Sequence, residues 1–560
     1  MLELFEPDWR TVWNGAHESD SVGAVYTKPE IVDLILDLAG YRAEICRLAA
    51  RPLLEPSCGD GAFLGAIVRR LIASERIHRG QLDWHCQDLY DSVRAIDLNS
   101  GAVRAARLLI VGILESEGCE AARASELATA WAVQGDFLLA KWDRDFSFVV
   151  GNPPYVRLED LPKPVLAEYR RRFLTLRDRA DLYIAFFERG LELLSNGGML
   201  SFICANRFAK NQYGAALRQM ISERYRVRYY LNLEHTKPFL SDVSAYPAIV
   251  AIDRERGGPT LAGTLHDLES STLDPIRSQV VTGLAAGGPL ATFSQWYPDG
   301  APWSSTSKEE VRTLGALNRQ HTLLEESGGR TRVGIGVATG ADGVFILREL
   351  SNQIELSRQV PLLMASDIGI VSNTWSGRYL INPFAEEDDG SLVELSQYPG
   401  LAAHLERGAQ QLRRRHVAKS RPANWFRTID RIWPSLTAKP KLVIPDIQRG
   451  GIVGVDEGQC YPHHNLYWVT TDAWELRALQ AILRSSHVLM QVRAFSVQMR
   501  GGSIRYQAQT LRRVRVPQLA DLTSSVVEQL CKAGASYDQN EVDEAASRAF
   551  GLTHSSMSAA

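Results

Sequence analysis

Cysteine is sparse and unpaired in this chain: Cys46, Cys58, Cys86, Cys119, Cys204, Cys460 and Cys531 stand singly, with no C-x-x-C spacing. That pattern argues against a disulfide framework and a cysteine-built zinc site, and makes most of the thiols core residues. No metal is expected. Also missing is any apolar run near the ~20 residues of a membrane span, and residues 1–20 lack the basic start and apolar centre of a secretion signal. The expectation is a cytoplasmic protein without a membrane partner. No charge dominates either: 62 basic against 65 acidic residues leave a net charge of −3, so any nucleic-acid surface must be a local patch. Solenoid repeats are absent. So are the G-x-G-x-x-G dinucleotide fingerprint and the Gly-Lys-Ser/Thr phosphate loop, which makes NAD and ATP unnatural ligands.

What is present is enough apolar material, 45% of 560 residues, for two or three domains. The chain is organised around Phe146-Ser147-Phe148-Val149-Val150-Gly151-Asn152-Pro153-Pro154-Tyr155. An apolar, β-branched run stops abruptly at a polar-aromatic loop, so a buried strand delivers that loop at its carboxyl end, where open α/β sheets bind ligands. Two prolines fix φ and remove donors, leaving the carbonyls of Asn152 and Pro153 as acceptors. Asn152 adds a side-chain acceptor and Tyr155 a flat π-face. Together they suit a planar ring with an exocyclic amino group, and adenine is the best candidate.

Other segments read as strands ending at the same edge. Residues 24–40 form an amphipathic helix, with Thr27 as its cap before Pro29 and Glu30 and with Gly40 at its end; its start suits an anionic group. Residues 53–64 read as strand, glycine turn and helix, with Gly59 and Gly61 permitting close backbone approach to a nucleotide-like ligand. A second strand ends at Asp97, where a carboxylate suits ribose hydroxyls. A third ends at Asp136 beside Phe137. Glu55, Asp97, Asp136 and Asn152 would then converge at one edge of a parallel sheet.

The ordered set Tyr26-Thr27, Glu55-Pro56-Ser57-Cys58-Gly59-Asp60-Gly61, Asp97, Asp136-Phe137 and Asn152-Pro153-Pro154-Tyr155 resembles the γ-class, TaqI-like N6-adenine DNA methyltransferases. The likeness continues through Asp181-Leu182-Tyr183, Phe186, the strand at residues 197–204, Asn206-Arg207-Phe208 and Lys237-Pro238-Phe239 before Val243-Ser244, covering about residues 22–253. It implies an α/β fold: a Rossmann-like class I domain with a mostly parallel seven-stranded sheet and helices on both faces, followed by a mixed α+β target-recognition domain. It also implies S-adenosyl-L-methionine as cofactor and double-stranded DNA as substrate, with the adenine flipped out because its amine is unreachable in a duplex. By resemblance, Asn152, Pro153, Pro154 and Tyr155 form the catalytic loop, and Tyr155 and Phe239 hold the target base. Thr27, Glu55, Pro56, Ser57, Gly59 and Gly61 serve the methionine part and loop of the cofactor, Asp97 its ribose, and Asp136, Phe137 and Phe186 its adenine. Adenine N6 is a poor nucleophile, so acceptors from the Asn152 side chain and the Pro153 carbonyl would favour an sp³-like nitrogen. Positioning and electrostatics then carry the reaction.

An extra basic amphipathic segment lies within residues 156–180 and reads either as a flap, over the site or over DNA, or as a solvated helix face. The composition shift after Asp253 suggests a catalytic domain at 1–255, a connecting segment at 256–325, a specificity domain at 326–552 and a flexible tail at 553–560. Weaker resemblance to the TaqI-like specificity domain runs through residues 334–340, 439–446, 464–468 and 501–517. Two basic runs, 407–431 with interleaved Trp425 and Phe426 and 491–516 without an acid, fit phosphate contacts. Candidates are Arg413, Arg414, Arg415, Lys419, Arg421, Arg500 and Arg505. Alternatives are methylation of RNA adenine or of protein glutamine, whose planar amino groups fit the same loop, or a modification subunit of a larger restriction complex. The nuclease constellation of a single-chain restriction enzyme is not evident, and a separately encoded restriction endonuclease is compatible with the reading.

Overall fold

The computed structural model describes residues 9–13, 25–178, 180–241, 246–282, 288–327, 330–387, 389–496, 498–499 and 503–552. Val243, Ser244, Arg500, Gly501, most of residues 1–20 and the tail at 553–560 lie outside the described residues. The chain divides into two compact units, Met1–Glu309 and Glu310–Ala560.

The first unit is built on a nine-stranded sheet. Its strands are β1 (Leu53–Glu55), β2 (Val93–Asp97), β3 (Ala132–Gln134), β4 (Phe146–Gly151), β5 (Leu194–Ala205), β6 (Arg226–Asn232), β7 (Pro247–Asp253), β8 (Thr260–Thr264) and β9 (Ala291–Phe293). Their order is β3-β2-β1-β4-β5-β7-β6-β8-β9. From β3 to β5 every pairing is parallel, and β7 runs antiparallel between β5 and β6. Parallel strands covered on both faces read as continuous apolar runs, and β1 and β4 are buried almost throughout. Strand order reverses between β1 and β4, so the loops after them diverge and open a crevice.

The helices in this part of the first unit are α1 (Trp9–Trp13), α2 (Pro29–Ala39), α3 (Ala62–Arg79), α4 (Gln87–Asp91), α5 (Ser100–Ser116), α6 (Ala121–Trp131), α7 (Lys163–Arg172) and α8 (Tyr183–Glu192). Helix α2 buries Ile31, Val32, Leu34, Ile35 and Leu38 in the main core, each worth roughly 1.5–3 kcal/mol. Gly40 ends it in the left-handed region, φ 79°. Thr27, expected from sequence to be its cap, is not; Lys28 holds that position, and Thr27 pairs with Phe239 in an isolated β-bridge. The segment before α2 is thereby fastened to the loop after β6, with Lys28 N donating to Pro238 O and Leu240 N to Tyr26 O.

Two expectations are corrected here. Among the described residues the sheet has nine strands instead of seven, and residues 256–325 are not a plain connection. Strand β8 pairs with the edge of β6 and β9 with β8, and Leu261, Leu265, Leu273, Ile276 and Leu290 enter the first unit's core. The composition shift at Asp253 marks a polar loop between β7 and β8, not the end of the domain.

The second unit is mixed α and β. One four-stranded antiparallel sheet joins Arg332–Ile335, Leu466–Thr470, Lys441–Pro445 and Gly454–Asp456. Another joins Ile346–Leu347, Tyr379–Ile381, Gln359–Leu363 and Tyr461–Pro462. Helices Leu476–Arg484, Ser524–Gly534 and Gln539–Ala549 close its larger core.

Candidate active site

The crevice at the carboxyl ends of β1 and β4 is a cavity of about 400 Å³, within the roughly 300–1,000 Å³ of small-molecule sites. The tip of β2 shapes one wall. Asp97 accepts from the backbone N–H of Gly59 (2.9 Å) and of Asn99 (2.9 Å), so its carboxylate ties the glycine turn after β1 to the start of α5. Burial raises its pKa, against those two bonds. Gly61 stands at φ 99°, and a Cβ there would come within 3.0 Å of Leu109 Cδ2 and 3.3 Å of Ala106 Cα. The close approach Gly61 permits is therefore to α5. Unlike Gly59, it does not line the cavity.

At the end of β4, Asn152 Nδ2 donates to Val25 O (2.8 Å) and, at 3.3 Å, to Thr27 Oγ1. This orients the amide and leaves Oδ1 buried without a partner. Ser57 Oγ donates to the Asn152 carbonyl (3.0 Å), so that carbonyl is not free, contrary to the sequence reading. The Pro153 carbonyl accepts from nothing among the described residues. Tyr155 stands edge-on to Phe239, with centroids 6.1 Å apart at 79°, and tilted toward Tyr183 at 6.5 Å. Its hydroxyl is also buried and unpartnered, and burial pushes its pKa well up.

Glu55 closes the floor, only 1% exposed. Its Oε2 has no hydrogen-bond partner, and burial, then the charges of Asp97 and Asp60, push its carboxyl well above the ordinary range. Three unpartnered polar atoms on residues lining one cavity are costly in isolation. Such a set fits a ligand with cationic and amino groups, because a cation beside Glu55 would restore the charged form that burial disfavours.

The far end of the cavity holds a feature absent from the sequence reading. Asp136 Oδ2 accepts from Trp13 Nε1 (2.8 Å) and Tyr169 Oη (2.7 Å), while Oδ1 accepts from Leu138 N (2.9 Å). Burial still raises its pKa against these bonds. The segment carrying α7 is thus a flap over this cavity: Tyr169 of the helix and Leu161 and Pro162 before it line it together with Trp13, Phe137 and Phe186, and the last two rings lie 5.0 Å apart. The chain leaving the flap is clamped by Glu188, which accepts from Leu174 N, Thr175 N and Thr175 Oγ1. Of the arginines of α7, Arg171 and Arg172 pair with Glu168.

Of the residues singled out from sequence, Thr27, Glu55, Pro56, Ser57, Gly59, Asp97, Asp136, Phe137, Asn152, Pro153, Pro154, Tyr155 and Phe186 line this one cavity. Phe239 reaches it through Tyr155, and Gly61 supports it from behind. Trp13 had no sequence signal. Tyr169 lay in a segment recognised only as extra.

The basic candidates divide sharply. Arg413, Arg414, Lys419 and Arg421 are exposed, with Arg413 stacked 4.5 Å from the Trp425 ring. Arg415 instead donates to the carbonyls of Leu412, Thr339, Trp425 and Arg427; those bonds hold the local fold together. In the 491–516 run, four of the described arginines are engaged within the chain. Arg505 pairs with Asp446, Arg512 with Glu325 and the Val333 carbonyl, Arg515 with the His321 carbonyl, and Arg513 covers Phe495. Arg500 lies outside the described residues.

Residues 92–239 match the family described as Eco57I restriction-modification methylase. The chain is 44% identical to the type II methyltransferase M.PaeR7I of Pseudomonas aeruginosa, over 96% of this chain and 93% of that protein. It is 41% identical to the type II methyltransferase M.XhoI of Xanthomonas vasicola, over 95% and 98% respectively. Among solved structures, its fold is similar to that of the type IIL restriction-modification enzyme MmeI in complex with DNA, with a TM-score of 0.63 at 13% identity, covering 94% of this chain and 74% of that one.

Proposed function

Because the chain belongs to the type II methyltransferases of restriction-modification systems, enzymes that use S-adenosylmethionine on DNA, we propose that it methylates N6 of adenine at a specific duplex site, on a base flipped out of the helix. The observation that carries this reading is the Asn152 amide: its donor end is spent on Val25 and Thr27, and its acceptor Oδ1 has no partner. With the Pro153 carbonyl it offers two acceptors for one –NH₂ group, and Tyr155, held by Phe239 and Tyr183, offers the ring a face. Holding both N–H bonds withdraws the nitrogen lone pair from the ring and aims it, so positioning and electrostatics supply the acceleration.

S-adenosylmethionine, when bound, supplies a methyl group on a cationic sulfonium. The residues fit it. Glu55 offers an uncompensated carboxylate to a cation, Asp97 keeps acceptor capacity beyond its two backbone bonds for ribose hydroxyls, and Asp136 with Phe137 and Phe186 forms an aromatic end with a carboxylate. Thr27, Pro56, Ser57 and Gly59 complete the wall, and Trp13 and Tyr169 exclude water at the flap. In the second unit, Arg413, Arg414, Lys419 and Arg421 are assigned to phosphates and the unit as a whole to target recognition. A separately encoded endonuclease and a cytoplasmic setting belong to the same proposal; among the described residues no helix is long and apolar enough to cross a membrane.

The test is single-molecule sequencing of DNA from a methylation-free bacterial host expressing wild type or Asn152→Ala. N6-methyladenine confined to one motif, and only with wild type, is the expected result. Folded, cofactor-binding protein that leaves the host DNA unmethylated would overturn it and direct attention to RNA adenine or protein glutamine.

A further inference from the structure

The second unit contains a cluster unrelated to the methyl-transfer cavity. Asp342, His463 and His464 each present one ligand atom, and these atoms all lie within 4.8 Å of one another. His463 Nε2 is 3.0 Å from His464 Nδ1 and 3.4 Å from Asp342 Oδ2. Ligands about 2.0–2.2 Å from a tetrahedral ion stand a little over 3 Å apart, close to both spacings from His463. His463 is 3% exposed while Asp342 and His464 are exposed, so the cluster opens to solvent on one side.

The surroundings strengthen the case. His463 Nδ1 faces Asn465 Oδ1 at 3.0 Å. An amide oxygen only accepts, so Nδ1 carries the proton and Nε2 is left as a lone pair. That nitrogen lies 3.4 Å from a carboxylate oxygen and 3.0 Å from another imidazole nitrogen. His464 Nδ1–H can satisfy it once, but the Asp342 oxygen then still faces a lone pair, an arrangement a cation would convert into attraction. The other Asp342 oxygen accepts from Thr339 Oγ1. Two of the three candidate ligands therefore have the outer hydrogen bond that orients metal-binding histidines and carboxylates.

The backbone holds the pieces in register. His463 N donates to Leu363 O, His464 N to Val337 O and Leu466 N to His463 O, which pins the His-His step between two strands. Asp342 opens the short helix Asp342–Phe345 that follows the Thr339 turn. The expectation of no metal rested on absent C-x-x-C pairs; a set gathered from distant segments leaves no such spacing.

We propose that Asp342, His463 and His464 bind a divalent transition cation of the zinc, cobalt or nickel type through two imidazole nitrogens and one carboxylate oxygen, with the remaining position open to water. Two nitrogens and one oxygen suit that group better than magnesium or calcium, which favour all-oxygen sites.

The test uses the full chain, stripped with a chelator and titrated with cobalt(II), with visible spectra and calorimetry read together. One equivalent of cobalt with d–d bands of imidazole coordination, displaced by zinc, is expected. Because His463 is buried, its replacement can fail to fold; His464→Ala and Asp342→Ala change exposed residues and are expected to abolish the bands. Asn465→Ala should lower affinity about 10–100-fold. Wild type that binds no stoichiometric cobalt overturns the proposal, as does binding unchanged in His464→Ala and Asp342→Ala.

Discussion

Replacing Asn152 separates chemistry from cofactor binding. Alanine removes the unpartnered Oδ1 and also the Nδ2 bonds to Val25 O and Thr27 Oγ1. Loss of one preorganised polar contact at a reacting group lowers turnover about 10²–10³-fold, or roughly 2.7–4 kcal/mol of barrier. The structural cost is smaller: leaving the Val25 carbonyl unpaired costs about 1–3 kcal/mol, so the variant should fold. Aspartate keeps an acceptor but turns a second oxygen on the Val25 carbonyl. Its turnover should fall between wild type and alanine, with more loss of stability than its near-identical volume suggests. The assay is single-turnover methyl transfer to a duplex substrate, paired with calorimetry of cofactor binding. Asn152→Ala should leave cofactor affinity within about threefold of wild type, whereas Asp97→Ala, which loses the carboxylate holding Gly59 and Asn99, should lose most of it. Equal loss of cofactor affinity in the two variants would refute this division of labour.

Tyr169→Phe deletes one donor to the buried Asp136 carboxylate, a bond worth about 1.5–3 kcal/mol; the ligand-free protein should melt several degrees lower, and an unchanged melting temperature would show that the flap is not held there. Cofactor affinity should rise with pH and then level off, because the raised pKa of Glu55 keeps it protonated above the ordinary carboxylate range while a cationic ligand selects its ionised form. By the same linkage the ligand-free protein loses stability as pH climbs from ~4 toward that raised value, since the unfolded chain releases this proton first. Glu55→Gln should flatten both profiles, and a pH-dependent affinity surviving in that variant would assign the titration elsewhere. Gly61→Ala strains a left-handed position and meets Leu109 and Ala106; about 1–2 kcal/mol of stability should be lost, measurable by denaturant titration. Arg414→Ala, Lys419→Ala and Arg421→Ala should each reduce the salt dependence of DNA binding by about 0.9 in the log–log slope, whereas Arg415→Ala should instead destabilise the protein.

The site was legible where one short segment carries both the strand and the functional group at its end. The apolar run of β4 stops at Gly151 and delivers Asn152, and the run of β2 stops at Asp97, so burial and chemistry are written side by side in the chain. The helix at residues 29–39 announced itself by spacing, proline and glycine; its cap did not, because Thr27 is drawn away by Phe239 and Asn152. Likewise, arginine-rich runs read as one kind of surface until the fold decides which guanidiniums find carbonyls. Arg415 and Arg505 turn inward to partners that no local pattern names.

By itself, the sequence determined the class of fold, the edge of the sheet that carries the site and the identity of the polar residues there, since hydrophobic periodicity and turn chemistry act within a few residues of one another. Only the tertiary structure decided which distant groups complete that edge. Trp13 reaches Asp136 from 123 residues away, β8 and β9 extend the sheet past the composition shift at Asp253, and Asp342 meets His463 and His464. Each of these pairings is chosen by the path of the backbone and by the demand that a buried polar group find a partner, a demand that names no sequence position until the chain has folded.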